Sequence, residues 1–474
     1  MSRSLSRIAL ALTGLFASTT SALAAGGTTH DVRVNGDIQA AIDGASNGDT
    51  IQLAAGQYDI TATIDPGGKQ VTILGTVDGN GDPTSILDGG NPVDGTSGVR
   101  VLICQSGEIS TTVFQNLVIQ NGYAGGNGGG MYNTSASSPT LTNCTFTSNS
   151  AWAGAGMYND TSSPTLTNCT FTSNSAIGAG GGMYNDNGSN PTLTECTFTS
   201  NSSNNDGGGM FNTFSSSPTL DNCAFVSNSA VFGGGGMSNW NGSSPTLDNC
   251  TFTSNSCGED GGGMHNYTYS SPTLTDCTFT SNSANDGGGG MFNEDSSSPT
   301  LTNCTFTGNW ANGGGGMANA SSSPTLEGCM FSGNSARGTG TNAGIGGGMA
   351  NLLSAPRLTD CTLTENSADL NGGAIFNLDM NTVTLTDCNF CGNNDGSGFN
   401  SISGGGIDDS SSGNNLREAA CVFGDINFDG VANLADRTSL NTLIGVCDAD
   451  INGDGEVNGA DMAFILSWWG VCSP

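Results

Sequence analysis

Basic residues are nearly missing from this chain: 9 Lys and Arg stand against 41 Asp and Glu in 474 residues, with only 2 His. Phosphate recognition rests on clustered cations, so nucleic acid is excluded as a partner class, and anionic membrane surfaces are disfavoured for the same reason. Charge of either sign is scarce, at 11% of residues, where a quarter is usual. With only His30 and His265 available, no zinc site is expected. Long apolar runs are missing too, apart from "IALALTGLFA" beginning at Ile8. That run is about half of the roughly 20 residues needed to cross a bilayer. It follows Arg3 and Arg7 and precedes the small residues "ALA" ending at Ala24, the pattern of an export signal. The mature chain is expected to begin near Ala25, without a membrane span, and to be secreted or held at the cell surface.

Glycine is abundant instead, with 75 residues, and it is ordered. "GGGMYNTSASSPTLTNCTFTSNSA" from Gly128 returns as "GGGMYNDNGSNPTLTECTFTSNSS" from Gly180. Aligned on cysteine, the copies give Cys144, Cys169, Cys196, Cys223, Cys250, Cys277, Cys304, Cys329, Cys361 and Cys388, spaced by 27 in six of nine intervals. Leu stands three residues before each Cys and Phe, or Leu363, two after it. An apolar residue after glycine runs from Met131 to Ile375, and Asn follows it by two in every copy. A second Asn column, Asn149 to Asn393, follows the Cys column by five. Disordered Gly/Ser chains have no reason to hold such columns in register.

A period of this length means stacked units, each too small to bury its own apolar face. "PTLT" and "CTFTS" alternate apolar residues with Thr, the period of a half-buried strand; "GMYN" is a third short strand. The pattern predicts an all-β right-handed parallel β-helix of about 13 coils, followed by a small α-helical module. The Asn columns are expected at bends, where Asn tolerates left-handed backbone, and as amide ladders between coils. "LTNCTFTSN" also fits the leucine-rich repeat, but that fold needs a helical half where this chain has glycine runs.

The stretch "DIQAAIDGASNGDTIQLAAGQYDI" from Asp37 resembles the opening of pectin-lyase-type β-helices, a short capping helix before the first strands. "GGAI" ending at Ile375 and "FTSN" from Phe146 are similar to the paired repeat signatures of polymorphic outer-membrane proteins. The resemblance covers roughly residues 31–410 and implies the β-helix fold. The organisation expected is a signal over 1–24, a cap and first coils over 25–125, repeat coils over 126–412, a linker over 413–421 and a terminal module over 422–474.

That module carries "DINFDGVANLAD" from Asp425 and "DINGDGEVNGAD" from Asp450. Each sets oxygen ligands at the loop positions that wrap calcium, with Gly at the sixth. The ligands expected are Asp425, Asn427, Asp429, the Val431 carbonyl, Asn433 and Asp436, then Asp450, Asn452, Asp454, the Glu456 carbonyl, Asn458 and Asp461. The duplicated loops, each with Asp at position 12, resemble a type I dockerin. That resemblance implies a cohesin-type scaffold protein as partner; a calcium-stabilised cap without one is the alternative.

Sixteen cysteines in an exported chain suggest disulfides. The ten in register are nevertheless expected to be buried small hydrophobes, and Cys447 with Cys472 is the better candidate pair. For catalysis, a polysaccharide lyase needs a basic residue, and the repeats supply Arg337 and Arg357, with Asp360 nearby. A glycoside hydrolase needs paired carboxyls, and Asp206, Asp260 and Asp286 recur before the glycine runs; the bland reading is that they cap bends and aid solubility. One residue after the Met column stand Tyr132, Tyr158, Tyr184, Phe211, His265 and Phe292, expected to form an outward stripe on which sugar faces could lie. Thr140, Thr142, Thr145, Thr147 and their equivalents form outward ranks like those of ice-binding surfaces. The leading expectation is an exported protein that binds polysaccharide or acts as a surface adhesin. A polysaccharide lyase or glycoside hydrolase is the alternative, and an ice-binding protein the third.

Overall fold

In the computed structural model, which describes residues 27–90, 98–338, 344–378, 381–396, 402–405, 407–408 and 416–417, each repeat lays down one turn of a parallel β-helix. One turn contains the short strands Thr192–Thr194, Thr197–Thr199, Ser202–Ser203 and Met210–Asn212. Each pairs in parallel with its counterpart one copy on: Leu193 with Leu220, Phe198 with Phe225, Ser203 with Ala230, Met210 with Met237. Among the described residues the resulting Leu, Phe, Ser and Met sheets hold 15, 14, 10 and 12 strands. The strand of the Ser sheet was not expected, because two residues are too short to show a period. With one strand per turn in the Met sheet there are about 12 turns, not 13. Dividing by 27 overcounts: Thr72 pairs with Val113, so an early turn is longer.

Alternation sends Leu, Cys, Phe and Met inward, where they are fully buried. Phe rings from Phe146 to Phe331 stack with centroids 4.6–4.8 Å apart and planes within 4°, the strand spacing itself. The ten column cysteines are buried; Cys223, for example, points its Sγ to the Leu193 carbonyl one turn back at 3.7 Å. The Thr ranks flank these buried Leu and Phe and face outward. The glycine runs answer a close approach: a Cβ at Gly209 would lie 2.5 Å from the Gly236 carbonyl oxygen and 2.9 Å from the Phe225 ring. Any other residue would push the Met strand off the Phe stack.

Both Asn columns are inward amide ladders. Asn228 donates its Nδ2 to Oδ1 of Asn255 at 3.0 Å and to the Phe198 carbonyl at 2.9 Å, while its own Oδ1 accepts from the amide N–H and the Nδ2 of Asn201. The left-handed backbone expected at these Asn falls elsewhere: on residues just before the Cys column, such as Asn222 (φ 52) and Asn249 (φ 51), and on Ser before the second Asn column, such as Ser227 (φ 55). The ladder residues themselves are not left-handed; the bend passes to the residue upstream.

The expected capping helix is present. Asp37 accepts the Ala40 amide N–H at 2.9 Å, opening the helix Ile38–Gly44, which buries Ile38 and Ile42 over the first turn. Lys69 donates its Nζ to the carbonyls of Ile42, Asp43 and Ala45 at 2.8, 2.7 and 3.0 Å, closing the other end of the helix. No helix among the described residues is long and apolar enough to cross a membrane. The two calcium loops, Cys447 and Cys472 lie outside the described residues.

Candidate functional site

Because Met and the Asn two residues on point inward, the residues one and three after Met share the outward face of the Met sheet. The first column is the aromatic stripe. It does not lie open as expected: Tyr158, Phe211 and His265 are buried, and Tyr132, Tyr184 and Phe292 are half-buried. The reason is the glycine arm before each strand. At φ 64, Gly207 turns the chain back so that a Cβ there would lie 2.8 Å from Cβ of Phe211; the arm covers the root of each ring and its neighbours cover the faces. Nor is the stripe flat, since successive rings meet at 69°, 21° and 56°. Tyr158 also donates its hydroxyl to Asp186 at 2.7 Å, and burial pushes its phenol well above the usual range.

The pattern changes between Asp206 and Glu294. Asp206, Gly233, Asp260 and Gly287 occupy one column, four residues before Met210, Met237, Met264 and Met291; Gly233 bridges to Asp260, and Gly207, next to Asp206, donates its N–H to the Gly233 carbonyl. The Met sheet beside it carries Phe211, Ser238, His265 and Phe292 in register. A Cβ at Gly233 would lie 2.2 Å from Nδ1 of His265 and 2.6 Å from Oδ1 of Asp206, so both polar atoms converge over this glycine. Gly233 serves space rather than backbone shape, since no left-handed φ is required there.

His265 is 5% exposed, and its Nε2 meets Oε1 of Glu294 at 3.2 Å. A carboxylate only accepts, so Nε2 is assigned a proton. Nδ1 of the ring has no partner; neither has Oδ1 of Asp206, which is 7% exposed, nor Oγ of Ser238, which is fully buried. Asp260 differs, its Oδ1 accepting the Gly287 N–H at 2.8 Å. Removal from water pushes both carboxyls up to about 6. At Asp206 the imidazole and the Gly233 amide oppose this shift and Glu259 adds to it. At Asp260 the imidazole and the Gly287 amide oppose it, while Glu294 and Asp286 add to it.

Aromatic rings flank the cluster. Trp240, three residues after Met237, lies 4.9 Å from Tyr267 and 5.8 Å from Phe211, and both Trp240 and Tyr267 are half-buried. The indole N–H of Trp240 is also unpaired. Sequence reasoning named Asp206, Asp260 and His265, and placed Ser238 in the column after Met, but missed Trp240 and Gly233. The signal lies in the residue three after Met, on the same face, which is Trp240 in one turn and Tyr267 in the next.

The other candidates are not brought into one cluster. Arg337 is exposed after the Ser-sheet strand Ser335–Ala336, with its Nε to the Ser335 hydroxyl at 3.0 Å. Arg357 is exposed at the start of the Leu-sheet strand Arg357–Thr359, and Asp360 is exposed in the bend that follows. The ion pairs formed by side chains of the described residues involve His30 and His265, not these arginines. Among the described residues no three His, Cys, Asp or Glu are grouped to hold a metal ion.

Three solved structures are similar in backbone course. Tailspike protein 3 of bacteriophage CBA120 is 14% identical at a TM-score of 0.41, over 79% of this chain and 56% of its own; this chain thus spans little more than half of it. A mannuronic acid specific polysaccharide family 6 lyase from human gut microbiota is 12% identical at a TM-score of 0.41, over 80% of this chain and 83% of its own. The A-module of a mannuronan C-5 epimerase from Azotobacter vinelandii is 13% identical at a TM-score of 0.40, over 79% of this chain and 95% of its own. No curated protein matches the chain. The family described as "Right handed beta helix region" matches residues 90–279 and 236–423. These two overlapping spans take in most of the sequence and all the turns that carry the Cys and Met columns, and the chain belongs to this right-handed β-helix family.

Proposed function

We propose that this chain is an exported polysaccharide-binding β-helix. Its working face is the cluster around His265, and its C-terminal segment attaches it through calcium to a scaffold. The observation that carries the reading is the set of unpartnered buried atoms, Asp206 Oδ1, Ser238 Oγ and His265 Nδ1, beside Trp240 and Tyr267. Leaving a buried polar atom unpaired costs about 1–3 kcal/mol, and such a set is kept where a ligand or water completes it. Rings beside a few convergent polar groups are the usual lining of a small-molecule site. A glycan array probed with the full secreted chain tests this. Binding is expected to be lost on replacing both Trp240 and Tyr267 by Ala and kept in a Thr246→Val control on the Leu sheet. No glycan retained by the unmodified chain would overturn the reading.

A hydrolytic reading has one observation in its favour: Asp206 and Asp260 share a column, two turns apart, and both hold their protons to about pH 6. Two turns at about 4.8 Å each approach the roughly 6.5–9.5 Å carboxyl separation of inverting glycosidases, and groups titrating near the working pH suit general acid and base roles. Release of reducing ends from a bound glycan, lost in Asp206→Asn and Asp260→Asn, is the expected result. A bound glycan that stays intact would leave binding alone. The lyase alternative, through Arg337, Arg357 and Asp360, calls instead for unsaturated ends lost in the triple variant.

A further inference from the structure

Two aromatic rings stand open where the chain leaves the Met sheet. Phe214 is 57% exposed and Tyr269 is 70% exposed, and both lie in left-handed backbone, at φ 48 and φ 59. The same bend in the turn before Phe214 holds Asn187 and Gly188, and in the turn between the two rings Asn241 and Gly242, residues at ease in this conformation. A bulky side chain there strains the backbone and, so exposed, gives the fold little burial in return. The bends stack: Ser215 donates its N–H to the Asn241 carbonyl, and Gly242 to that of Thr268. The two rings therefore stand two turns apart, about 9–10 Å along the axis at the strand spacing. The bend between them is low, since a Cβ at Gly242 would meet only the Ser215 hydroxyl, at 3.8 Å. Trp240 and Tyr267 stand immediately before the bends of their own turns, so the open pair continues the aromatic face already described.

Resting on the glycan-binding reading above, we infer that this edge is a stacking platform for a neutral, equatorially linked polysaccharide of the cellulose type, lying along the axis of the rod. In such a chain each pyranose is turned over relative to the last, so every second sugar presents the same face. Each sugar also advances the chain by nearly one turn of this helix. Phe214 and Tyr269 take the apolar faces of two alternate sugars, and the sugar between them crosses the low bend at Gly242. Large rigid rings are suited to this contact. A chain of the amylose type coils away from a straight row of rings. A uronate polymer brings carboxylates beside Glu294 and Asp295, and no Lys or Arg occurs between Arg100 and Arg337 to receive them.

The test is calorimetric titration of the full chain with cellobiose, cellotriose, cellohexaose, maltohexaose and oligogalacturonate. Cellotriose spans both rings and cellobiose does not, so a gain of roughly tenfold in affinity is expected between them. Maltohexaose should bind at least roughly tenfold more weakly than cellohexaose, and oligogalacturonate should not bind. Phe214→Asn and Tyr269→Asn each install a residue that tolerates left-handed backbone. Each is expected to remove the gain from cellobiose to cellotriose while leaving the unfolding temperature unchanged or raised. A lower unfolding temperature in both variants would mean that the rings serve the fold, and equal affinity for cellohexaose and maltohexaose would mean that they do not read linkage; either overturns the inference. If the array retains a glycan yet no cello-oligosaccharide binds, the glycan-binding reading stands and the platform falls; if the array retains none and no probe binds, both fall.

Discussion

Asp260 accepts the N–H of Gly287 at 2.8 Å, whereas Asp206, two turns earlier in the same column, leaves its Oδ1 with no partner. The two carboxyls therefore differ in hydrogen-bond geometry, while the imidazole and a backbone amide, of Gly233 or of Gly287, oppose the rise in pKa at both.

Stability should report this directly. The carboxyl pKa of Asp206 lies near 6 in the folded chain against 3.8 for the free group, so the folded state holds the proton more tightly than the unfolded state. Its contribution to stability is greatest below about pH 4, falls as pH rises to about 6 and stays low above. Asp206→Asn is expected to stabilise these turns by about 2–3 kcal/mol at pH 7.5 and to change little at pH 4. Thermal unfolding of both proteins at the two pH values measures it. A variant less stable at pH 7.5 would show that the carboxylate has a partner in solution.

The amide ladder predicts a large local cost. Asn228→Ala leaves the Asn201 amide and the Phe198 carbonyl without their partner and breaks the link to Asn255. A loss of about 3–5 kcal/mol is expected, with hydrogen exchange accelerated first in the turns of Asn201 and Asn255. Uniform acceleration along the whole chain would contradict nearest-neighbour coupling.

The ring stack predicts a different dependence. Phe252 lies 4.7 Å from both Phe225 and Phe279. Phe252→Ala should cost about 3–5 kcal/mol by opening a cavity, while Phe252→Leu, the residue found at position 363 of the same column, should cost less. Equal losses in urea unfolding would mean that ring stacking, rather than filled volume, sets the cost.

Calcium should act on the C-terminal segment alone. Saturating calcium is expected to raise the unfolding temperature of that segment by mass action and to leave the β-helix transition unmoved, with Asp425→Ala plus Asp450→Ala removing the shift. Calorimetry in calcium and in chelator decides it, and identical traces would remove calcium from the proposal.

Periodicity made the coils readable because each turn repeats the same inward residues, so Leu and Cys announce their burial ten times over and Phe and Met nine. The Ser-sheet strand escaped because two residues carry no period. Asp206 and Asp260 were visible as recurrences before the glycine runs, and His265 as a member of the column after Met. Their closure was not, because it depends on the arm at Gly207 folding over a ring and on the missing side chain at Gly233, and neither has a signature apart from the folded backbone. Arg337 and Arg357 attracted notice by rarity alone, and the turns hold them at separate, exposed places.

The in-register stacking of Leu on Leu, Phe on Phe and Asn on Asn makes every interface between turns chemically interchangeable. Duplicating or deleting one whole copy away from Asp206–Glu294 would lengthen or shorten the rod by about 4.8 Å and leave all remaining contacts of the same kind. The length of the molecule is thus free to drift in whole steps by gene slippage, and copies of 25, 27 and 32 residues already stack with the Asn ladder unbroken.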